Sequence, residues 1–307
     1  MAEQETSRER ALILALCTHA IWGSMPLYLI LVDQVPPLEY VAWRTFFTLP
    51  ICLFFVVRSR MLGNLGRVLG NWRTMRTLAF SSALIAVNWF LYVWAIQQHQ
   101  VYAASVGYYI LPLVMMLLGF AFLKERLTKP QAGAVALAVT GVAALSAGAL
   151  TTLWLSVTVA TTFGVYGLLR KTVEAGPLLG LTCESIILLP FVVAFLGWTE
   201  VAGDGVVLGR DALETAAIVF GGAMTAIPLL LFATAARALP YSLIGFLQFI
   251  SPTIVFIIGL IVFRQEMKPA QLVCFILIWA AIALFSWDMF RNARRERQAK
   301  LARGVTR

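Results

Sequence analysis

Ionisable side chains are rare inside the apolar stretches of this chain, and three of them stand out. His19, Arg44 and Glu184 each lie well within an apolar run. A charge in hydrocarbon is costly, so such residues relay protons, form ion pairs or contact a polar ligand. We interpret these three as gating or coupling residues, and we expect Arg44 to pair with Asp33 or Glu39.

A second candidate group combines aromatic rings with amides. Asn88 and Tyr92 are four residues apart, which places them on one face of a helix. An amide in hydrocarbon needs a partner or a water-filled cavity, and a pocket of rings with a few polar groups suits small organic molecules. Packing is the alternative for the aromatic residues. We predict that seven residues contact a substrate: Trp22, Asn88, Trp89, Tyr92, Tyr108, Tyr166 and Gln248.

Glycine and proline interrupt four apolar runs, at matching positions in two pairs. Proline removes a helical hydrogen bond and glycine admits unusual dihedral angles, so such helices can bend and present backbone groups to a cavity. Close helix packing is the alternative, because small residues also serve it in membranes. We predict hinges at Gly23, Pro26, Gly107, Pro112, Gly164, Gly167, Gly245 and Pro252.

Membrane-spanning helices must position all of these residues. The chain is 60% hydrophobic and 13% charged, whereas about 25% of the residues in soluble domains are charged. Unbroken apolar runs indicate helices rather than a barrel. We predict an all-α integral membrane protein with ten spans, at 11–32, 40–57, 76–97, 101–123, 130–148, 151–169, 179–198, 213–236, 241–263 and 270–290.

The chain also repeats itself. Under a shift of 140 residues, Pro50 falls on Pro190 and Pro112 falls on Pro252. Each copy holds five predicted spans, and because five is odd the second copy must enter the membrane from the opposite side. Inverted halves that enclose a site near the midplane are typical of secondary transporters. We predict two inverted five-helix repeats, 1–148 and 149–290, followed by a basic cytoplasmic tail, 291–307.

This inversion separates two charged residues that the repeat relates. Arg44 and Glu184 are 140 residues apart, yet inversion places them near opposite membrane surfaces. We therefore expect Glu184 to pair with Arg170 or Lys171.

Basic residues decide the orientation of the spans. The flanks at 58–76, 124–129 and 170–171 are rich in arginine and lysine, and the alternate flanks hold few. Cytoplasmic flanks carry such an excess. The net charge of +9 is concentrated after residue 290, where seven basic residues and one acid occur. We predict a multi-pass inner-membrane protein with both termini cytoplasmic, whose basic residues face lipid and not nucleic acid.

Small residues recur at every fourth position of the fifth predicted span. They are Ala132, Ala136, Thr140, Ala144 and Gly148. Such a face lets another helix approach closely. We predict that it packs within the monomer rather than at a dimer seam, and both a monomer and a homodimer stay open.

An enzyme acting on a lipid-linked substrate is the alternative class of function. It would need clustered Asp, Glu, His or Lys near one interface. The chain has two histidines and scattered intramembrane acids, without a nucleotide-binding loop, metal-ligand spacing or nucleophile arrangement. We therefore predict no metal, no cofactor and no catalytic residue.

Short motifs spread over nearly the whole chain. They are Ile21-Trp22-Gly23 with Pro26 and Tyr28, Asn88-Trp89 with Trp94-Ala95, Ser105 to Pro112 followed by Glu125-Arg126, Tyr166-Gly167 with Arg170-Lys171, Glu184 with Leu188-Leu189-Pro190, Pro228-Leu229-Leu230, Gly245-Phe246 with Gln248 and Pro252, and Trp279 with Asp288. Together these motifs resemble the drug/metabolite transporter superfamily, and specifically its RarD subfamily of EamA-domain permeases.

The resemblance implies ten helices in two inverted halves, a central cavity lined by spans 1, 3, 4, 6, 8 and 9, and small-molecule transport without ATP. The subfamily often has a lysine two residues after the tyrosine of span 1, where this chain has Ile30. Anion selectivity assigned to that lysine is therefore not expected here. We predict an exporter of small neutral or zwitterionic metabolites or amphipathic drugs that works by alternating access, with a passive facilitator as the alternative.

Overall fold

The computed structural model describes residues 2–97, 101–147, 153–203, 205–264 and 269–302, and these form helices joined by short turns. A single 3-10 turn, Ile30–Val32, follows the first helix. The α-helices are α1 Ala2–Leu29, α2 Pro37–Arg58, α3 Leu62–Gly70, α4 Trp72–Gln97, α5 Val101–Leu123, α6 Lys129–Ser146, α7 Leu153–Thr172, α8 Pro177–Ala202, α9 Ala212–Ala238, α10 Tyr241–Leu247, α11 Ile250–Ile261 and α12 Pro269–Ala302.

Eight segments of the described chain are long and apolar enough to cross a membrane. They are Arg8–Val32, Pro37–Arg58, Val106–Leu123, Leu153–Thr172, Pro177–Ala202, Ala212–Ala238, Tyr241–Ile261 and Pro269–Met289. The protein is therefore an all-α membrane protein. The helices α4 and α6 occupy the other two predicted spans but are not among these eight, so the ten-span inverted arrangement stays a prediction.

Helices from the first part of the chain pack against helices from the second part. The main packed pairs join an element before residue 148 to one after residue 152: α5 with α7, α6 with α12, α2 with α9, α1 with α9, α5 with α10, and α2 with α8. One large apolar cluster fills the space between them. The core is thus shared between the two parts and belongs to neither alone.

The small-residue face of α6 does not pack as predicted. Ala132, Ala136 and Thr140 are exposed, and Gly148 lies outside the described residues. The buried face instead includes Ala138, and α12 approaches it at Gly141. Two residues turn a helix by about 200°, so the prediction selected nearly the opposite face. It was wrong because residues on both faces of α6 are small.

Two connections bear on the site. The connection between α2 and α4 contains the short helix α3, whose Leu65 is buried in a small apolar cluster. The run predicted as span 9 is two helices, because α10 ends at Leu247 and α11 begins at Ile250. By contrast, α5 continues through Pro112. The helix is therefore interrupted near Pro252 and continuous through Pro112.

Candidate substrate site

Arg44 lies over the face of a tryptophan. Its guanidinium carbon is 4.4 Å from the Trp89 ring centroid and 5.9 Å from that of Tyr40. Its Nε atom is buried and has no hydrogen-bond partner. Stacking of this kind uses the face of the guanidinium and leaves its N–H edge free.

The expected pairing of Arg44 with Asp33 or Glu39 is wrong. Among the described residues, no carboxylate oxygen lies within 4.0 Å of the Arg44 guanidinium. Glu39 instead accepts hydrogen bonds through Oε1 from Trp43 Nε1 at 3.0 Å and from the Val207 backbone N–H at 2.7 Å. Five residues along a helix correspond to about 140° around its axis, so Glu39 and Arg44 face different neighbours.

Tyr92 and Tyr108 form the next wall of the same region. Their ring centroids are 5.6 Å apart in an edge-to-face arrangement. Both lie deep within the protein, near enough to Arg44 for its charge to act on their hydroxyl groups. Both also keep partly accessible surface. Tyr92 packs against the apolar cluster of Ala95, Leu155 and Val159, and Tyr108 packs against the large central cluster.

Trp22 joins the aromatic groups of three helices. Its centroid is 5.6 Å from those of Phe163 on α7 and Phe232 on α9. His19, one turn earlier on α1, is fully buried, and its Nδ1 lies 3.4 Å from Ser251 Oγ. Its Nε2 has no partner among the described residues. The Ser251 hydroxyl also donates to the His19 carbonyl at 3.0 Å, so His19 joins α1 to α11 through its backbone and through Nδ1.

Asn88 binds a neighbouring helix. Its Nδ2 donates to the Val159 carbonyl at 2.7 Å and to Thr162 Oγ1 at 3.1 Å, both on α7. The amide thus has the partner that its location demands. Its role as a substrate contact stays a prediction, and its contribution to packing α4 on α7 is evident.

Glu184 is the centre of a buried polar network. The Ser81 hydroxyl donates to Glu184 Oε1 at 2.5 Å, and the Tyr166 hydroxyl lies 3.4 Å from Oε2. Arg170 Nε lies 3.7 Å from Oε1, with both side chains almost fully buried. The predicted pairing of Glu184 with Arg170 is confirmed.

A glycine that the sequence reasoning passed over makes this ion pair possible. A methyl group at Gly180 would overlap the Arg170 guanidinium. Gly180 precedes Glu184 by four residues on α8, so the two share a helix face. That spacing was the available signal. Arg170 Nη2 also donates to the Pro177 carbonyl at 2.8 Å, which fixes the guanidinium against α8.

A small cavity lies beside the network. Its walls include Trp89, Tyr166 and Glu184. Its volume is about 10 Å³, which is the space of a single water molecule. Trp89 therefore lies between two polar regions, with Arg44 over its ring and Glu184 lining the same cavity.

Gln248 lies at the break between α10 and α11. It is 2% exposed, and its Oε1 has no hydrogen-bond partner among the described residues. Pro252 has no N–H to offer the Gln248 carbonyl, and that carbonyl accepts the Ser251 N–H at 3.2 Å instead. The structure thus places an unpaired amide oxygen beside a non-helical turn inside the protein.

The predicted hinge glycines are points of close helix contact. An added Cβ would lie 2.7 Å from Ile254 at Gly23, 3.0 Å from the Ser156 carbonyl at Gly107 and 2.9 Å from Val114 at Gly164. Gly167 meets the Tyr241 hydroxyl. At Gly245 an added Cβ would lie 2.9 Å from the Pro112 carbonyl.

The hinge prediction itself is not tested by these contacts. The helix α1 is continuous through Gly23 and Pro26, and α5 and α7 are continuous through their predicted hinge residues. Only Gly245 and Pro252 flank a break. Bending at the other positions stays a prediction.

Charged side chains also bind helix ends across the bundle. The Glu125 carboxylate accepts the backbone N–H groups of Tyr241 at 2.6 Å and Ser242 at 2.8 Å, at the start of α10. Lys171 donates to the Ala236 and Leu239 carbonyls at 2.5 and 2.6 Å. Helix ends leave such groups unpaired, and these side chains satisfy them.

Arg237, near the end of α9, binds the end of α7, just as Lys171 of α7 binds the end of α9. Its Nη1 donates to the carbonyls of Val173 and Ala175, at 2.8 and 2.9 Å, just after α7 ends. The sequence reasoning did not identify these links, because their partners are backbone atoms.

Comparison with known proteins identifies the family. Residues 9–147 match the EamA-like transporter family. An uncharacterized transporter of Pseudomonas aeruginosa is 36% identical over 299 residues, which cover 93% of this chain and 96% of the relative. Protein RarD of Streptomyces exfoliatus is 31% identical, with 95% and 93% covered. Protein RarD of Escherichia coli is 31% identical, with 93% and 97% covered.

A solved crystal structure shares the fold. It superimposes with a TM-score of 0.67 at 16% identity, over 90% of this chain and 97% of the other. Membership rests on the sequence relatives, which align over nearly their full length. The chain belongs to the RarD subfamily of the EamA-like transporters, within the drug/metabolite transporter superfamily.

Proposed function

We propose that this protein is an inner-membrane secondary transporter that exports small neutral or zwitterionic metabolites or amphipathic drugs by alternating access. Membership of a transporter family supplies the general activity. Substrate class, direction and mechanism are the proposal.

One observation carries the proposal: the main helix pairs that join the two parts map onto other packed pairs when the first five spans are exchanged with the second five. The exchange turns the α5–α7 contact into α1–α11, the α2–α9 contact into α4–α8, and the α1–α9 contact into α4–α7. The pairs α2–α8, α5–α10 and α6–α12 each map onto themselves. Such a pattern is expected of two copies related by a twofold axis, the architecture in which one copy rocks against the other.

The proposed halves are residues 1–148 and 149–290, and residues 291–307 form the tail. The boundary at 148 and 149 lies outside the described residues, as does the end of the tail from residue 303 onward. Within the tail, α12 continues without interruption to Ala302. The basic residues on this extension favour a cytoplasmic C-terminus, and with ten spans the N-terminus lies on the same side.

Both ends of the bundle are closed by hydrogen bonds. At the end where α1 leads into α2, Tyr28 donates to the Ala217 carbonyl at 2.6 Å, and Glu39 accepts the Val207 N–H. At the end where α5 leads into α6, Glu125 binds the start of α10. Substrate passage requires these two sets of links to open in turn.

The cavity beside Glu184 supports the same requirement. Its volume of about 10 Å³ is far below the roughly 300 Å³ or more of a small-molecule pocket. A substrate at this depth therefore needs the halves to separate. We assign gating or coupling to His19, Arg44 and Glu184, and bending to the break between α10 and α11.

A transport assay tests the site. Purified protein in liposomes is expected to move amino acids, nucleobases or drugs under an imposed gradient. Asn88→Ala, Tyr108→Ala and Gln248→Ala should reduce transport while leaving insertion intact, and Trp198→Ala, which alters an exposed side chain, should not. Parental transport by all three variants would show that the site assignment is wrong. Movement of no solute under any gradient would count against transport itself.

A topology assay tests the inversion. Arg126→Cys and Arg264→Cys, each in a chain with its four native cysteines replaced, place a thiol in matching loops of the two proposed halves. Labelling by an impermeant maleimide should reach them from opposite sides of the membrane. Labelling of both from one side would contradict the inverted repeat.

A further inference from the structure

Arg44 is a charged side chain for which the described part of the chain supplies no anion within 4.0 Å. We propose that its guanidinium, stacked on Trp89, is a carboxylate-binding subsite that selects small molecules carrying a carboxylate beside a flat apolar ring. This inference rests on the proposed function and narrows its substrate class to molecules that bear a carboxylate.

The geometry of Arg44 leaves its donors free. The guanidinium carbon lies over the ring of Trp89, 4.4 Å from its centroid. The edge of a guanidinium presents N–H groups in a planar fork that matches the two oxygens of a carboxylate. One of these groups, at Nε, is buried without a hydrogen-bond partner. A buried donor without an acceptor is costly, and a bound carboxylate would remove that cost.

The buried acids Glu39 and Glu184 are already engaged, and the exposed Asp33 lies more than 4.0 Å from the Arg44 guanidinium. Glu39 accepts from Trp43 and Val207. Glu184 is paired with Arg170 and accepts from Ser81. Neutralisation of Arg44 by Glu39 or Glu184 would require that acid to abandon its own partners. The missing negative charge is therefore expected to arrive with a ligand.

The walls around Arg44 define what else the ligand carries. Tyr92 and Tyr108 stand edge to face at 5.6 Å, deep in the protein and partly accessible. Their rings offer apolar surface to a flat group, and their hydroxyls are additional donors. Arg44 lies seven residues after Pro37, the first residue of α2, a depth of about 10 Å. Walls of this kind favour an organic anion over a strongly hydrated inorganic one.

A pair of matched probes tests the inference on the unmodified protein. The probes 3-phenylpropionate and 3-phenylpropanamide share a ring and a chain, and only the first is an anion. Binding to the full-length protein in lipid nanodiscs is measured by quenching of tryptophan fluorescence. We expect the carboxylate to bind at least about tenfold more tightly, as a charge-assisted hydrogen bond implies. Equal binding of the two probes, or binding of neither, overturns the proposal.

Variants assign the preference to Arg44. Arg44→Gln should abolish the difference between the probes, and Arg44→Lys, which keeps the charge, should retain a reduced difference. Arg76→Gln removes a charge from an exposed position and should leave the preference at the wild-type level. Retention of the full preference in Arg44→Gln overturns the assignment. If Arg44→Gln does not fold, a reduced preference in Arg44→Lys supports the fork geometry, and an undiminished preference contradicts it.

Two further measurements separate this inference from the proposed transport. Inorganic phosphate and chloride as competitors distinguish a general anion site, since displacement of 3-phenylpropionate at equal concentration would overturn the requirement for a ring. Proteoliposome flux of both probes is then compared. Flux without a carboxylate preference would support transport and overturn the inference. Arg44-dependent binding without flux of any solute would support the inference and contradict transport.

Discussion

Two charged residues at equivalent places in the two parts of the chain have opposite surroundings. Glu184 has an ion pair with Arg170 and hydrogen-bonding groups from Ser81 and Tyr166. Arg44, 140 residues earlier, has a ring face and no carboxylate within 4.0 Å among the described residues. We call the first the complete site, because its two charges are paired with each other, although Arg170 Nε and Nη1 have no hydrogen-bond partner among the described residues. The second is the open site, because no carboxylate of the described residues pairs the charge of Arg44. Positions related by the 140-residue shift thus have different neighbours, and these neighbours determine which one stabilises the fold and which one can bind a ligand.

The largest effect is expected from breaking the complete site. Glu184→Gln leaves Arg170 charged, buried and unpaired, so the free energy of unfolding should fall by about 3 kcal/mol. Equilibrium unfolding in mixed micelles, followed by tryptophan fluorescence, measures it. Glu174→Gln, at an exposed position two residues after α7, is the matched control and should be near neutral. Equal stability of the two variants would show that the ion pair adds nothing to the fold.

An intermediate effect is expected from crowding the same ion pair. Gly180→Ala places a methyl group where the Arg170 guanidinium lies, and overpacking of this kind costs about 2 kcal/mol. Gly197→Ala, on the same helix with no atom within 4 Å, is the control and should be neutral or stabilising, since alanine favours a helix. Thermal unfolding of both variants decides it. Unchanged thermal stability of Gly180→Ala would mean that the Arg170 guanidinium can move to another position without a cost to the fold.

The smallest effect on stability is expected at the open site. Arg44→Gln removes a charge that the protein does not pair, so the free energy of unfolding should change by less than about 1 kcal/mol. The same micelle titration measures it beside Glu184→Gln. A loss as large as that of Glu184→Gln would mean that Arg44 has a protein partner after all, and the contrast between the two sites would disappear.

The helices could be predicted from apolar runs, but their ends could not. The helix α8 continues to Ala202, past the predicted end at 198, and α12 continues to Ala302, past 290. These extensions carry polar residues such as Glu200 and Arg294. Hydropathy marks the part of a helix that meets lipid, whereas hydrogen bonding continues beyond it.

The interruption between α10 and α11 could not be predicted from the sequence, for a different reason. Pro112 and Pro252 are equivalent under the repeat and both remove a helical hydrogen bond. Only the second accompanies a break. Whether a proline interrupts its helix depends on the residues packed around it, and a local sequence pattern does not contain those contacts.

The candidate site was predictable where partners are close in sequence. Arg170 and Glu184 lie on consecutive helices, and their pairing followed from the spans alone. Arg44 on α2 lies over Trp89 on α4. This contact depends on how the two helices are rotated about their axes, which the spacing of residues within either helix does not give. For Asn88, chemistry predicted that the amide needs a partner, and the structure identifies that partner as α7.

The links from Glu125, Lys171 and Arg237 all end on main-chain atoms. The hydrogen bonds at receiving positions such as Ser242 and Ala236 therefore do not depend on the chemistry of the side chain there, although burial limits its size. At the backbone N–H groups that donate to Glu125, only proline would remove the bond itself. Mutations can accumulate on the receiving side without loosening the bundle. The two parts of the chain can in this way diverge in sequence at the receiving positions while they stay joined.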